Sequence, residues 1–316
     1  MLRRIASHLY WMGRRLERAE WRARLVDVNY HLQVEWPRPR GAEPWAPLLA
    51  ITGEGDAFAA RHGALTEQSI LDFFVFDADN PASVRSCLVA ARESARELRH
   101  RISSELWLEL NMLYLDAHGW TPALLATRGV FDFFAELKER FYRVMGVIHG
   151  TLPRDLGYDF MEMGRALEGI ENVARLLDVK YHYLLPHVGD VGGTIDLLQW
   201  AAVLRSASAL EAYRKAHGNM IAVDRVVDML VFDPTFPRSV RFGAERLAAA
   251  LERVGDGERS ADGADAPLGV PALVHGLTHG SARSAIGGGL HDYLVEIETG
   301  CEAVGAAVFE EYLRFE

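Results

Sequence analysis

Apolar residues recur along most of this chain at spacings of three and four, and no stretch keeps the strict alternation of a half-buried strand. The pattern predicts helices from end to end. Residues 70–76 are apolar enough for a short strand, but Asp72 interrupts them and leaves their class open. Trp36-Pro37-Arg38-Pro39-Arg40-Gly41 ends the first long helix, since proline does not continue one. His149-Gly150-Thr151-Leu152-Pro153 divides the chain into halves. Residues 255–289 are rich in Gly, Ser, Ala and Asp, and read as a long flexible loop.

An internal repeat organises these helices. Residues 12–31 align with residues 163–182 at an offset of 151, with thirteen of 20 positions identical. Residues 70–85 align with residues 226–241 at an offset of 156, with eight of 16 identical. Two collinear matches at nearly one offset indicate duplication. The expected fold is all-α: two pseudo-repeated helical bundle units, residues 1–150 and 151–316, packed into one globule.

On a helical wheel of ~100° per residue the first copy inverts the usual amphipathic pattern. Glu17, Glu20, Arg24, Asp27 and His31 share a stripe with Gly13. Leu9, Met12, Leu16 and Val26 flank the stripe on one side, and Tyr10, Trp21, Leu25 and Val28 on the other. Arg15, Arg18, Arg22 and Asn29 take the opposite face and read as solvated. A charged stripe between two apolar flanks belongs in the middle of a buried face. The second copy repeats it with Gly164, Glu168, Glu171, Arg175, Asp178 and His182. If the halves pack by pseudo-symmetry, the two stripes face each other across one core.

Ten buried ionisable groups must pair with one another or bind something, because an isolated buried charge is costly. One reading is an internal salt-bridge network, with Glu20 to Arg24 and Arg24 to Asp27 as its local pairs. A second is a polar ligand site or an active site, since close carboxylates beside His and Arg suit acid–base work. A metal is a third, although the Glu-x-x-His element of metal-binding bundles is absent and Arg24 and Arg175 repel a cation. Gly13 and Gly164 mark a close approach of two helices.

Composition narrows the function classes. Hydrophobic residues make 49% and charged residues 25%, as expected for a globular core rather than a disordered chain. A net charge of −10 argues against nucleic acid as the main partner. No apolar run reaches the ~18 residues of a membrane span. The first residues reach His8 and Arg14 before a signal-peptide core forms, so a cytoplasmic location is expected. Cys87 and Cys301, the only cysteines, cannot build a disulfide framework or a cysteine zinc site. His275 and His279 are four apart, with no acid to complete a zincin pattern. No metal ligand set is therefore assigned.

Tyr10-Trp11-Met12-Gly13-Arg14-Arg15-Leu16-Glu17-Arg18-Ala19-Glu20 resembles the signature of the bacterial alpha-E family, an all-helical domain named for its Glu-Arg motif. Asn80-Pro81-Ala82-Ser83-Val84, Ala91-Arg92-Glu93-Ser94-Ala95-Arg96, Ser103-Ser104-Glu105-Leu106-Trp107 and Phe236-Pro237-Arg238-Ser239-Val240 resemble further family motifs. The resemblance implies particular company. Such proteins are encoded beside, or fused to, circularly permuted ATP-grasp proteins, often with a transglutaminase-like protein nearby. ATP-grasp enzymes activate a carboxylate as an acyl phosphate for attack by an amine or another nucleophile.

The implied function is a helical subunit acting with an ATP-grasp ligase in peptide or amide-bond formation or modification. The substrate would be a peptide or amino acid. ATP-Mg would be bound by the partner, and this chain alone would bind no cofactor. In that reading Glu17, Glu168, Glu20 and Glu171 orient or deprotonate an amine. Arg24 and Arg175 hold a carboxylate or acyl phosphate. Arg14, Arg165, His31, His182, Asp27 and Asp178 complete the substrate site. The second copy departs from the motif, with Gly169 where the first has Arg18. Because position 18 lies on the outer face, Arg18 is expected to serve a partner contact. The alternatives are a non-catalytic scaffold or binding subunit, whose stripe is a structural salt-bridge network, and a metal-carboxylate helical-bundle enzyme.

Overall fold

A computed structural model of the chain describes residues 2–35, 44–180, 193–258 and 270–314. Helices make all of the regular structure among the described residues. The chain opens with α1 (Arg3–Glu35), α2 (Ala46–Thr52), α3 (Gly55–Ala59) and α4 (Glu67–Leu71). There follow α5 (Val84–Glu97), α6 (Ser104–Gly119), α7 (Pro122–Arg128) and α8 (Val130–Thr151). Beyond Pro153 come α9 (Leu156–Asp178), α10 (Thr194–Ser206), α11 (Leu210–His217) and α12 (Val223–Val227). The remaining helices are α13 (Val240–Glu258), α14 (Val270–His279) and α15 (Ala282–Val308).

The structure settles one segment whose class the sequence leaves open and corrects the expected loop in a second. Residues 70–76 are helical: α4 runs directly into a π-helical turn, Asp72–Phe76, and α12 runs likewise into Asp228–Phe232. Phe73, Phe74, Val75 and Phe76 are all buried, so four successive side chains need apolar partners on every side. Tertiary packing supplies them and overrides the strand preference of Phe and Val. In the second segment, the expected loop at 255–289 holds α14 and the first turns of α15. Residues 259–269 lie outside the described residues. Ser281 opens α15 with a reciprocal capping box to Ser284, and Ala282, Ala285 and Leu290 are buried. Gly289, at φ 105°, kinks the helix. Ala282 and Ala285, among the small residues that suggest a loop, pack into the core instead.

Serine caps set the starts of the helices that flank the core. Ser83 Oγ donates to the Asp77 carbonyl at 2.6 Å and accepts the Ser86 N–H at 3.0 Å, starting α5. Ser239 Oγ donates to the Asp233 carbonyl and accepts the Phe242 N–H, starting α13.

At the centre α1 crosses α9. The Met161 carbonyl oxygen lies against Gly13, and the Tyr10 carbonyl oxygen lies against Gly164. A β-carbon at either glycine would overlap that oxygen, so the crossing requires the bare backbone. α5 and α8 pack on α1, and α13 and α15 pack on α9. α10 also touches α1.

Enclosure on several sides corrects the reading of a solvated face on α1. Arg22 and Asn29 are buried. Arg22 pairs with Glu54 at 2.6 Å and lies 5.5 Å from the Phe74 ring centre. Asn29 donates to the Pro44 carbonyl at 3.3 Å. Arg15 donates to the Ala90 carbonyl and to Ser94 Oγ, each at 3.2 Å. Among the described residues no helix is long and apolar enough to cross a membrane.

Candidate functional site

The glycine crossing brings each helix's charged residues within reach of the other. Arg14 Nε donates to Glu168 Oε2 at 2.9 Å, and its Nη2 donates to Glu171 Oε2 at 2.8 Å. Arg165 returns the contact, with Nε to Glu17 Oε2 at 3.3 Å and Nη1 to Glu162 Oε1 at 2.8 Å. Glu20 accepts from Arg24 at 2.9 and 3.0 Å and from Arg238 at 2.5 Å.

Burial alone would raise the Glu168 pKa, but the charges and hydrogen bonds of Arg18 and Arg14 overcome it and hold the carboxyl below its ordinary value. Glu20 is held low in the same way by Arg238 and Arg24. Glu171 goes the other way. Its burial, with the Glu168 charge nearby, outweighs Arg14 and Arg175 and raises its pKa.

Arg18 occupies a different place from the one its wheel position suggested. It reaches across to Glu168, with Nε to Oε1 at 2.6 Å and Nη2 to Oε2 at 2.7 Å. The wheel treated α1 as a helix with one buried side. The close crossing instead places α9 beside the residue one turn beyond Arg14. Arg14 and Arg18 together enclose Glu168.

Glu17 is not enclosed in this way. Gly169 occupies the position that Arg18 holds in the first copy, and the nearest atom to a β-carbon built there is Glu17 Oε1 at 3.9 Å. The space left is a cavity of about 180 Å3, walled by Glu17, Trp21, His149, Arg165, Arg238 and Arg246 among others. Arg238 lies 5.6 Å from the Trp21 ring centre, and Arg246 pairs with Glu162. His149, on the rim, is held down at about 4, first by partial removal from water and then by the charges of Arg165, Arg246 and Arg154.

Sequence reasoning missed Arg238, Arg246 and His149 as site residues. A signal for the two arginines lies in the repeat. At the offset of 156 their counterparts are Ala82 and Ala90, while Arg15 and Arg18 have become Ala166 and Gly169 at the offset of 151. In the second half the large basic side chains stand on α13 and just before it rather than on the central helix.

The rest of the first stripe leads to an open cleft. Arg24 Nη2 donates to the Tyr142 hydroxyl at 2.8 Å. Lys138 Nζ donates to Asp27 Oδ2 at 2.6 Å. His31 Nε2 stands 3.4 Å from Asp27 Oδ1, with its ring 4.2 Å from that of Phe131. Arg24, Asp27, His31, Lys138, Tyr142 and Arg205 help to line this cleft of about 510 Å3. Ser208, at φ 55°, also lines it.

In the second half Arg175 Nε reaches Glu298 at 3.4 Å, and Asp178 accepts from His291 at 2.6 Å. The hydrogen bond to Asp178 and its charge raise the His291 pKa. His182 lies outside the described residues. The structure therefore divides the expected site into two inner glutamate clusters and two outer ends, rather than one continuous stripe. Lys138 and Tyr142 were not predicted, because both come from α8, more than a hundred residues from the stripe they complete. Among the described residues no three His, Cys, Asp or Glu side chains are grouped to hold a metal ion.

This architecture defines an all-helical protein whose two central helices are joined by reciprocal Arg–Glu pairs. The chain matches Alpha-E, described as a predicted alpha-helical domain with a conserved ER motif, over residues 1–313, and belongs to that family. An uncharacterized protein of Mycobacterium bovis is 26% identical over 271 residues, which cover 79% of this chain and 29% of the relative. Two uncharacterized proteins of Mycobacterium tuberculosis match at the same identity and coverage. The chain thus spans about 29% of the length of these relatives. No solved structure matches it.

Proposed function

We propose that the chain is a cytoplasmic helical subunit that works with an ATP-grasp ligase in forming or modifying a peptide or amide bond. In this reading it consists of two pseudo-repeated units, residues 1–150 and 151–316. The order of elements supports the repeat: a long central helix, a short helix with a π-helical turn, and a serine-capped helix occur in each half. A transglutaminase-like protein is a further partner, and ATP-Mg is bound by the ligase rather than by this chain.

The observation that carries the proposal is the cleft at Arg24. It offers both signs of charge within a few ångströms, as a free amino acid or peptide terminus requires. Arg24 commits the Nε and Nη2 side of its planar fork to Glu20 and Tyr142, and its Nη1 remains to meet a carboxylate. Asp27, relieved of Lys138, takes an ammonium group. Tyr142 fixes the guanidinium plane, and His31 closes the rim. Glu20 and Glu168, held ionised by arginines, act as electrostatic anchors of the crossing rather than as bases.

The test is ATP turnover by the neighbouring ATP-grasp protein over a pool of amino acids and peptides, with and without this chain. Arg24→Lys keeps the charge and loses the fork, so a folded variant is expected to lose at least ~10-fold of the stimulation. Equal stimulation by both would favour the scaffold reading, to which the enclosed Glu168 cluster lends its support. Tight ATP binding by the isolated chain would contradict the division of labour.

A further inference from the structure

We infer that the cavity beside Gly169 is a binding site for a small oxyanion that carries its own hydrogen-bond donor. Hydrogen phosphate and the carboxylate end of a zwitterionic amino acid are the two sources of that chemistry. The inference rests on the cavity alone and does not depend on the ATP-grasp reading.

The site arises from the transposition of arginines between the two copies. In the first copy Arg18 occupies the space over Glu168. In the second, Gly169 leaves the equivalent space over Glu17 vacant, and Arg238 and Arg246 approach it from the neighbouring segment. About 180 Å3 is comparable to the ~150 Å3 of a cavity that holds benzene, enough for a group of a few heavy atoms.

Three guanidinium groups line this space. Arg238 commits Nη2 to Glu20, but its Nη1 is buried without a hydrogen-bond acceptor, 3.7 Å from Glu17 Oε1. A charged donor withdrawn from water in this way calls for an acceptor, and an oxyanion in the cavity supplies one. Arg165, on α9, and Arg246, on α13, line the same space.

The glutamates set the kind of anion. Glu17 lies in the wall, and Glu20 and Glu162 pair with the arginines behind it. A bare anion would meet the Glu17 carboxylate head-on. An anion with an O–H or an ammonium N–H turns that contact into a hydrogen bond. His149 reports the field at the rim, since the charged groups acting on it are all arginines.

Calorimetric titration of the full chain with inorganic phosphate, glycine and acetate tests the inference. Saturable one-to-one binding of phosphate or glycine is expected, with acetate at least ~10-fold weaker because it brings no donor. Whichever of the two binds more tightly identifies the source. Gly169→Arg rebuilds the Arg18 contact on the Glu17 side and fills the cavity, so it is expected to weaken binding by more than ~10-fold. Arg238→Gln removes the unsatisfied donor while Arg24 remains on Glu20, and is expected to weaken binding by at least ~10-fold.

Proton NMR of the His149 ring provides a second readout. A bound anion raises its titration midpoint in the wild type and leaves it unmoved in Gly169→Arg. Failure of phosphate and glycine to saturate overturns the site. So does unchanged binding in folded Gly169→Arg or Arg238→Gln, and acetate binding as tightly as phosphate and glycine overturns the role of Glu17.

Discussion

Arg18 grips Glu168 through two hydrogen bonds, 2.6 Å from Nε and 2.7 Å from Nη2, across 150 residues of chain. The guanidinium and carboxylate meet fork to fork, an arrangement that fixes orientation as well as charge. With Arg14 on the other side, the pair ties α1 to α9 at the centre of the molecule. Its consequences for stability, together with those of the crossing, can be measured.

Glu168→Gln keeps the shape of the side chain and removes the charge between two partly buried arginines. A loss of about 3–5 kcal/mol is expected, because partners left unpaired in the interior are costly. Urea denaturation measures it, and a loss under ~1 kcal/mol would show that water reaches the cluster. The pH dependence follows from the lowered values of Glu168 and Glu20. Their stabilisation is present above the ordinary glutamate range and is lost as pH falls through the folded values. Glu171, with a raised value, works in the opposite direction. Stability measured from pH 7 down to pH 3 should therefore fall less steeply in Glu168→Gln than in the wild type.

His149 titrates at about 4 in the fold against an ordinary 6.5. Between these two values the unfolded chain takes a proton that the folded chain refuses. This histidine therefore makes stability fall as pH drops from 6.5 towards 4. His149→Asn should flatten that interval and leave the region above pH 7 unchanged. Chemical denaturation across the interval tests this, and an identical slope in the variant would place the proton uptake elsewhere.

Gly13→Ala and Gly164→Ala each put a methyl group onto a carbonyl oxygen of the opposing helix. Each is expected to cost about 1–3 kcal/mol by overpacking. Because both push apart the same crossing, the double variant should cost less than the sum of the two. Thermal and urea unfolding of the three variants provide the check, and strict additivity would mean that the two contacts yield independently.

Cys87 and Cys301 are buried, and burial pushes their thiols up to about 11 and about 12. The reactive thiolate is therefore scarce at neutral pH. Both should resist iodoacetamide in the native protein and react only on unfolding. Rapid native labelling of either would reveal local opening of α5 or α15.

Much of the centre of this protein was legible in the residues themselves. Period 3.6 is a local property, so the helices, the two glycines and the charged stripe between apolar flanks could be read from spacing. The loop reading of 255–289 went astray because composition alone does not distinguish small residues that avoid packing from small residues that pack closely, as Ala282 and Ala285 do. A wheel describes one helix against one neighbour. It placed Arg15, Arg18 and Arg22 in solvent because nothing in their spacing announces that α5, α8, α9 and α10 all lie against α1.

The sequence by itself determined the helical class, the recurrence of one motif at residues 12–31 and 163–182, and the identity of the charges that had to be satisfied. Only the tertiary structure decided how they were satisfied. Arg18 closes over Glu168, while Gly169 leaves Glu17 beside a cavity, although the two positions are equivalent in the repeat. The physical reason is range. Periodicity acts within a few turns, whereas a buried charge is matched by whichever group the fold brings within ~3 Å of it. For Glu20 that group includes Arg238, 218 residues away.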